Sequence, residues 1–418
     1  MKKCTSKPVV FFLLILATWC LTTSVHAEPE QIKDPYHPTV NDSPITLMKD
    51  NMITQALGGR LVDLDVWVGE FFKFDDNIFN TSEDKEADTI FSTAAGFKME
   101  AIQKNVWSVR LEGQLQHNAY GKNSEYNGFE GYFHGRGSVD FSPALSARVF
   151  ANYDSTYDTV RDEQDIFVLH RYSAGGGISL RPSPFAGVDI DYAYTGQRRE
   201  VSRMDYQNYD ENSISVRPYY DITPNTSIYL QLGVAQADPT QDWYNTSQML
   251  SAVLGAAWHY KDTANLFAEA GYRYMHFNGN GDVSDDIDSV DRPILRAGGG
   301  LALTSDWQTG AEVSYMPVYS AVSTSARNSN YIDRTQASAF LSYSPGAGRF
   351  TAKLSPFYRI NEPSNDVSYR EYGALLGVSY SFTDWLNVSA GYRYSVTDYD
   401  DDAPYDRNSV TFGVAATF

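Results

Sequence analysis

The chain has 418 residues, with 52 Asp and Glu against 33 Lys and Arg, a net charge of −19. That balance excludes a nucleic-acid binder, because neutralising phosphate drives such binding. Thirty Tyr, 22 Phe and 30 Gly, with abundant Ser, Asn and Asp, suit strands and turns.

At the N-terminus Lys2, Lys3 and Lys7 precede an apolar run from Val9 to Ala17, and a polar stretch ends in Val25-His26-Ala27. These are the parts of a secretory signal peptide, residues 1–27, cleaved near Ala27. The run is too short to cross a bilayer, which takes about 20 apolar residues. Trp19 argues against lipidation of Cys20, since the residue before a lipidated cysteine is normally small. Cleavage removes both cysteines, Cys4 and Cys20, so the mature chain is expected to hold no disulfide and no Cys-based metal site. It also removes three lysines and no carboxylate, moving the net charge from −19 to −22.

Residues 28–58 form a separate segment. Pro29, Pro35, Pro38 and Pro44 mark a flexible periplasmic tail, followed at 45–56 by a stretch with the pattern of one short helix. It reads as a linker, or as a piece that folds into a pore mouth or docks a periplasmic partner.

From about Leu61 one rhythm holds to the end, and residues 59–418 read as one domain. In Trp107–Gln116, Trp107, Val109, Leu111, Gly113 and Leu115 share one face, while Ser108, Arg110, Glu112, Gln114 and Gln116 share the other. A period of two over ten residues is a strand whose faces see different media. Leu250–Tyr260, Leu266–Tyr274 and Leu386–Ser395 repeat it, and Val410, Phe412, Val414, Ala416 and Phe418 close the chain on one face. Strands of about ten residues match a tilted crossing of hydrocarbon. No apolar run after the signal approaches a membrane helix, but alternating strands evade that test.

Turns of two kinds alternate. Short ones such as Ser142-Pro143-Ala144, Thr223-Pro224-Asn225 and Thr383-Asp384 are separated by longer acidic segments such as 75–88, 158–165, 279–291, 320–333 and 398–407. Eight short turns and nine long loops join 18 strands, and an even number is expected to set both chain termini on the short-turn, periplasmic side. Sixteen is the nearest alternative, should the weak segments near Ser213 or Arg349 not span. The fold class expected is all-β: a transmembrane antiparallel up-and-down barrel. A soluble sandwich would also alternate, but it would not call for aromatics at segment ends. Trp67, Trp107, Tyr260, Tyr274, Tyr319, Tyr343, Tyr380, Trp385 and Tyr394 suit girdles at the lipid interfaces. An open sheet is excluded in lipid, because its unpaired edge would face hydrocarbon.

No enzyme motif is present, and neither catalytic residues nor a cofactor are expected. The histidines at 37, 117, 134, 170, 259 and 276 form no paired-ligand spacing, and no G-x-S-x-G elbow occurs. His117 and His276 read as rim residues. The acidic loops contain no D-x-D-x-D-G pattern, so no dedicated metal site is expected, only cations bridging to lipopolysaccharide.

The strand phasing turns charge inward. The lumen candidates are Arg110, Glu112, Arg136, Arg148, Glu269, Arg273, Glu312 and Arg393, joined by Glu130, Asp189, Asp191, Arg296, Arg349 and Arg359. Such charge either pairs into a ladder that stiffens the wall, or sets up a transverse field that orients polar solutes. Phe418 ends the last strand in the form the outer-membrane insertion machinery reads, and is the candidate assembly signal.

The first strand and loop, Val66-Trp67-Val68-Gly69-Glu70 leading to Phe74-Asp75-Asp76-Asn77-Ile78-Phe79, then Asp88-Thr89-Ile90-Phe91, resemble a β-barrel porin family of outer-membrane proteins. Its members often accompany exopolysaccharide biosynthesis and export genes. The resemblance implies a conduit in a Gram-negative outer membrane, partnered by lipid and lipopolysaccharide, passing polysaccharide or small polar solutes. The reading from another class is a barrel with a filled lumen, acting as an enzyme or a structural surface protein.

Overall fold

The computed structural model describes residues 62–103, 106–160, 165–200, 208–240, 246–261, 263–278, 289–319, 323–324, 327–328, 331–346, 348–364, 367–400 and 403–418. The signal segment 1–27 and the segment 28–58 lie outside the described residues.

The strands in chain order are β1 (Val62–Asp75), β2 (Asp88–Gln103), β3 (Trp107–Tyr120), β4 (Gly128–Ser142), β5 (Leu145–Val160), β6 (Asp165–Ser183) and β7 (Ala186–Arg199). Next come β8 (Tyr209–Thr223), β9 (Thr226–Pro239), β10 (Thr246–Tyr260), β11 (Ala264–Asn278), β12 (Ser289–Ala302) and β13 (Trp307–Tyr319). The two-residue strands β14 (Ser323–Thr324) and β15 (Arg327–Asn328) pair only with each other. The wall resumes with β16 (Tyr331–Tyr343), β17 (Phe350–Pro363), β18 (Tyr369–Ser381), β19 (Leu386–Tyr399) and β20 (Tyr405–Thr417). Each of the 18 wall strands pairs antiparallel with its neighbours, and β1 pairs with β20 from Trp67↔Thr417 to Asp75↔Ser409. The barrel is therefore closed, and no edge is left to hydrocarbon. The weak segments near Ser213 and Arg349 both belong to complete strands, β8 and β17.

Alternation separates two faces. On β10 the outer Leu254 is 64% exposed and the inner Met249 only 5%. A single-layer wall has nothing outside it to cover a side chain, so bulky exposed residues mark the outside. Leu115, Val149, Ile190, Leu230, Leu266, Leu295, Val313, Leu376 and Phe412 continue that apolar belt around the barrel. Its lower rim carries Trp258, Tyr260, Trp307, Tyr380 and Trp385, and its upper rim tyrosines whose hydroxyls reach a polar neighbour. Tyr172 Oη donates to Asp210, and Tyr192 and Tyr392 donate to Asn212 and Asn408. The strands have 13 to 19 residues, longer than the ten a crossing needs. The loop expected at 158–165 is accordingly shorter, because β5 continues to Val160 and β6 begins at Asp165.

Two girdle assignments are corrected. Trp67 faces inward, 4% exposed, because it pairs with Gly96 and its indole lies over that glycine. Tyr319 turns onto an inner apolar cluster that includes Met249, Met275 and Phe277. Arg349, phased to the lumen, lies exposed in the turn before β17, 3.9 Å from Asp384.

Candidate functional site

The inner wall carries the polar chemistry, arranged in cross-strand rows. From β5 to β13 the charges form one arc. Arg148 donates Nε and Nη2 to Asp191 at 2.6–3.0 Å, and Arg217 donates to Asp189, which also accepts Ser179 Oγ at 2.7 Å. Tyr229 Oη donates to Glu269 at 2.7 Å, and Arg296 bridges Glu269 at 3.1 Å and Glu312 at 3.1 Å. Guanidinium forks suit such bridging, since they present several donors in one plane.

The β2–β5 wall is built otherwise. Arg110 pairs with Glu100 across β2 and β3. His134 stands between Glu112, at 3.3 Å from Nδ1, and Asp154, at 3.0 Å from Nε2. Arg136 faces Arg110 across β3 and β4 and is exposed to the lumen, with no ion pair among the described residues. Arg393 faces inward on β19, opposite Leu375 and Ser409. Arg273 donates Nη1 to the Pro317 carbonyl at 2.6 Å.

Aromatic rings line the same surface by a device that periodicity alone does not reveal. Trp67, Phe71, Phe150, Tyr229, Phe267 and Phe357 each lie flat over the glycine directly opposite on the next strand. At Gly96 and Gly413 an added Cβ would fall 2.6 Å and 2.4 Å from the ring above. The glycine thus gives the ring room to lie along the wall and leave the lumen clear. Arg217 sits over the Tyr229 ring and Arg296 over Phe267, so cations are held against the wall as well.

Two elements shape the mouth. The end of β13 leans inward until Tyr319 meets Tyr209 of β8 edge-on at 5.5 Å. The loop after β1 folds down so that Ile78 and Phe79 are buried with Ile90, Tyr120 and Ile166. Its hinge is Asn77, fully buried, which donates Nδ2 to the carbonyls of Thr81 and Asp406. Asp75 receives Arg407, while Asp76 accepts the backbone N–H and side-chain amide of Asn408. The segment Asp75–Phe79, on which the family resemblance rests, thus ties the first loop across the β1–β20 seam. Sequence reading marked the motif but had no signal for the partners it meets about 330 residues later.

Among the described residues no group of three or more His, Asp or Glu side chains is placed to hold a metal ion.

No family model and no curated protein matches the sequence. Solved structures are similar in architecture. The outer membrane protein opdK from Pseudomonas aeruginosa is 11% identical, with a TM-score of 0.44, covering 85% of this chain and 99% of its own. Pseudomonas aeruginosa OccK9 (OpdG) is 12% identical with a TM-score of 0.46, covering 85% and 98%. Acinetobacter baumannii OccAB3 is 12% identical with a TM-score of 0.45, covering 85% and 99%.

Proposed function

We propose that the protein is a water-filled channel of a Gram-negative outer membrane for small polar solutes. One observation carries the reading: a closed 18-strand wall is apolar and exposed outside, yet ionic and hydroxylated inside along its height. A barrel of 16 to 18 strands is wide enough to hold an aqueous lumen. Such an interior would be wasteful to bury but is at ease in water.

Arg110, Arg148, Arg217 and Arg296 each pair with a carboxylate of the wall, so this lining offers solutes dipoles and aromatic faces more than net charge. Uncharged or zwitterionic polar solutes suit that lining, with Arg136 as the exposed cation they would pass. Export of an exopolysaccharide is a finer proposal that rests on the motif resemblance alone.

Liposome swelling tests the channel. Vesicles containing the protein should swell in a small sugar and not in a large dextran. Absence of swelling with correctly folded protein would favour a filled barrel.

A further inference from the structure

The ladder between β12 and β13 stops early. It runs from Ala302↔Gln308 to Leu295↔Tyr315, while β12 continues on β11 to Ser289 and β13 continues on β16 to Tyr319. The sequence at the next rung explains the stop. Leu303 donates its backbone N–H to the Trp307 carbonyl, so odd residues of both strands bond each other across this ladder. Two residues beyond Leu295 and Tyr315, the same register brings Pro293 opposite Pro317. Neither has an N–H, so that rung can form no bond, whereas a single proline would leave one of its two. The carbonyls freed by the split are met by guanidinium groups. Arg273 of β11 donates to the Pro317 carbonyl at 2.6 Å, and Arg292 to the Asp291 carbonyl at 3.2 Å.

Above the split the β13–β16 hairpin turns inward. Odd residues of β13 face lipid at the exposed Val313, yet Pro317 is fully buried, and Tyr319 packs on the inner-face cluster of Met249, Met275 and Phe277. On β16, Tyr331 stacks on Phe277 with ring centroids 6.2 Å apart. Arg292 ties the hairpin down, donating to Asp333 at 2.9 Å and to Tyr331 Oη at 2.8 Å. Tyr319 thereby reaches Tyr209 of β8, although β9 to β12 stand between their strands in the wall. With a rise of about 3.3 Å per residue and a tilt of about 40°, Tyr315 lies about 20 Å above Trp307, in an apolar band about 25 Å tall. The split therefore opens at the upper rim, beside the exposed Tyr272 and Tyr274 opposite Pro293 and Asp291.

We propose that Pro293 and Pro317 form a wedge that turns the upper β13–β16 hairpin across the lumen, where it sets the largest solute that passes. The two prolines keep the wall from zipping to the top, and the apolar cluster with Arg273 and Arg292 holds the hairpin in its folded-in place. Its outer-phase residues are thereby withdrawn from the wall and laid over the bore. The inference deepens the channel reading and rests on it for its effect on solutes; the inward fold itself does not.

Replacing both prolines tests it, in protein that still migrates as a folded barrel in an unheated gel. Pro293→Val with Pro317→Val restores two N–H donors and should let the wall zip upward. Single-channel conductance should rise several-fold, and vesicles should swell in larger oligosaccharides than the unaltered protein admits. Unchanged conductance and an unchanged size limit would overturn the proposal. A second measurement needs no passage of solute. Tyr209→Cys with Tyr319→Cys should be bridged by a short bismaleimide, read by mass spectrometry as one linker added and both thiols consumed. That bridge should be lost several-fold when the prolines are also replaced. No bridge with the prolines in place, or equal bridging without them, would overturn the inward fold. Absence of steps from either protein would sink the channel reading, and the bridge would still decide the fold of the hairpin.

Discussion

Arg407 of the last strand holds Asp75 of the first: its Nε lies 2.9 and 3.0 Å from the two carboxylate oxygens, and its Nη2 2.6 Å from one of them. Asp75 is fully buried and also receives Lys73 Nζ at 2.9 Å. The pair stands at the upper end of the seam whose lower end is the Phe418–Val66 backbone pair. A closed barrel is no stronger than its seam, because opening it exposes two unpaired strands to lipid.

Breaking the upper clamp should therefore weaken the whole barrel. Removing one partner of a buried pair typically costs about 3–5 kcal/mol. Asp75→Ala and Arg407→Ala should each lower the temperature at which the folded band converts to the unfolded one on gels. Their coupling in a double-mutant cycle should exceed about 1 kcal/mol. Additive effects would mean the contact is not what holds the seam.

The lower clamp makes a different prediction. Deleting Phe418 removes the outer-face aromatic that ends β20 and both of its backbone bonds to Val66. Assembly should fall, read as lost surface protein and accumulated periplasmic chain. Normal surface levels would count against an assembly role.

Adjacent residues of β3 test the assignment of faces. Leu111 faces lipid, and Leu111→Arg should destabilise the inserted state by about 2–4 kcal/mol. Arg110 faces the lumen beside Glu100, so Arg110→Gln should cost less than about 1 kcal/mol, as half-exposed ion pairs do. Refolding into lipid bilayers measures both. Equal costs would mean the phase is wrong, and a one-residue slip would invert every inner-wall assignment.

Much of this was legible in the sequence. Period-two alternation in segments such as Trp107–Gln116, with short and long connections in turn, yields the 18 strands and their order. Trp67 shows where the reading stops. Its position near a strand end suits a girdle, but facing depends on register, and only the pairing with Gly96 shows that the ring lies inside. The ladder Arg148–Asp191 and Arg217–Asp189 was beyond reach for the same reason. Alternation tells which face a charge occupies, but not which charge on a neighbouring strand stands beside it. The mouth was least legible, since Asn77 and Tyr319 act through partners distant in the chain.

The rings over glycine supply a further prediction. Gly413→Ala places a methyl group 2.4 Å from Phe71 Cδ1, and Gly377→Ala meets nothing within 4 Å. Overpacking should cost the first about 1–3 kcal/mol. The second should be close to neutral, within about 0.5 kcal/mol. Denaturant midpoints would separate them, and equal values would mean the ring does not rest on the glycine.

Single-channel recording in planar bilayers tests the open, polar lumen most directly. The folded protein should give stepwise, ohmic conductance, and Arg136→Glu should shift its ion preference toward cations without abolishing the steps. Folded protein that inserts and gives no steps would contradict the account.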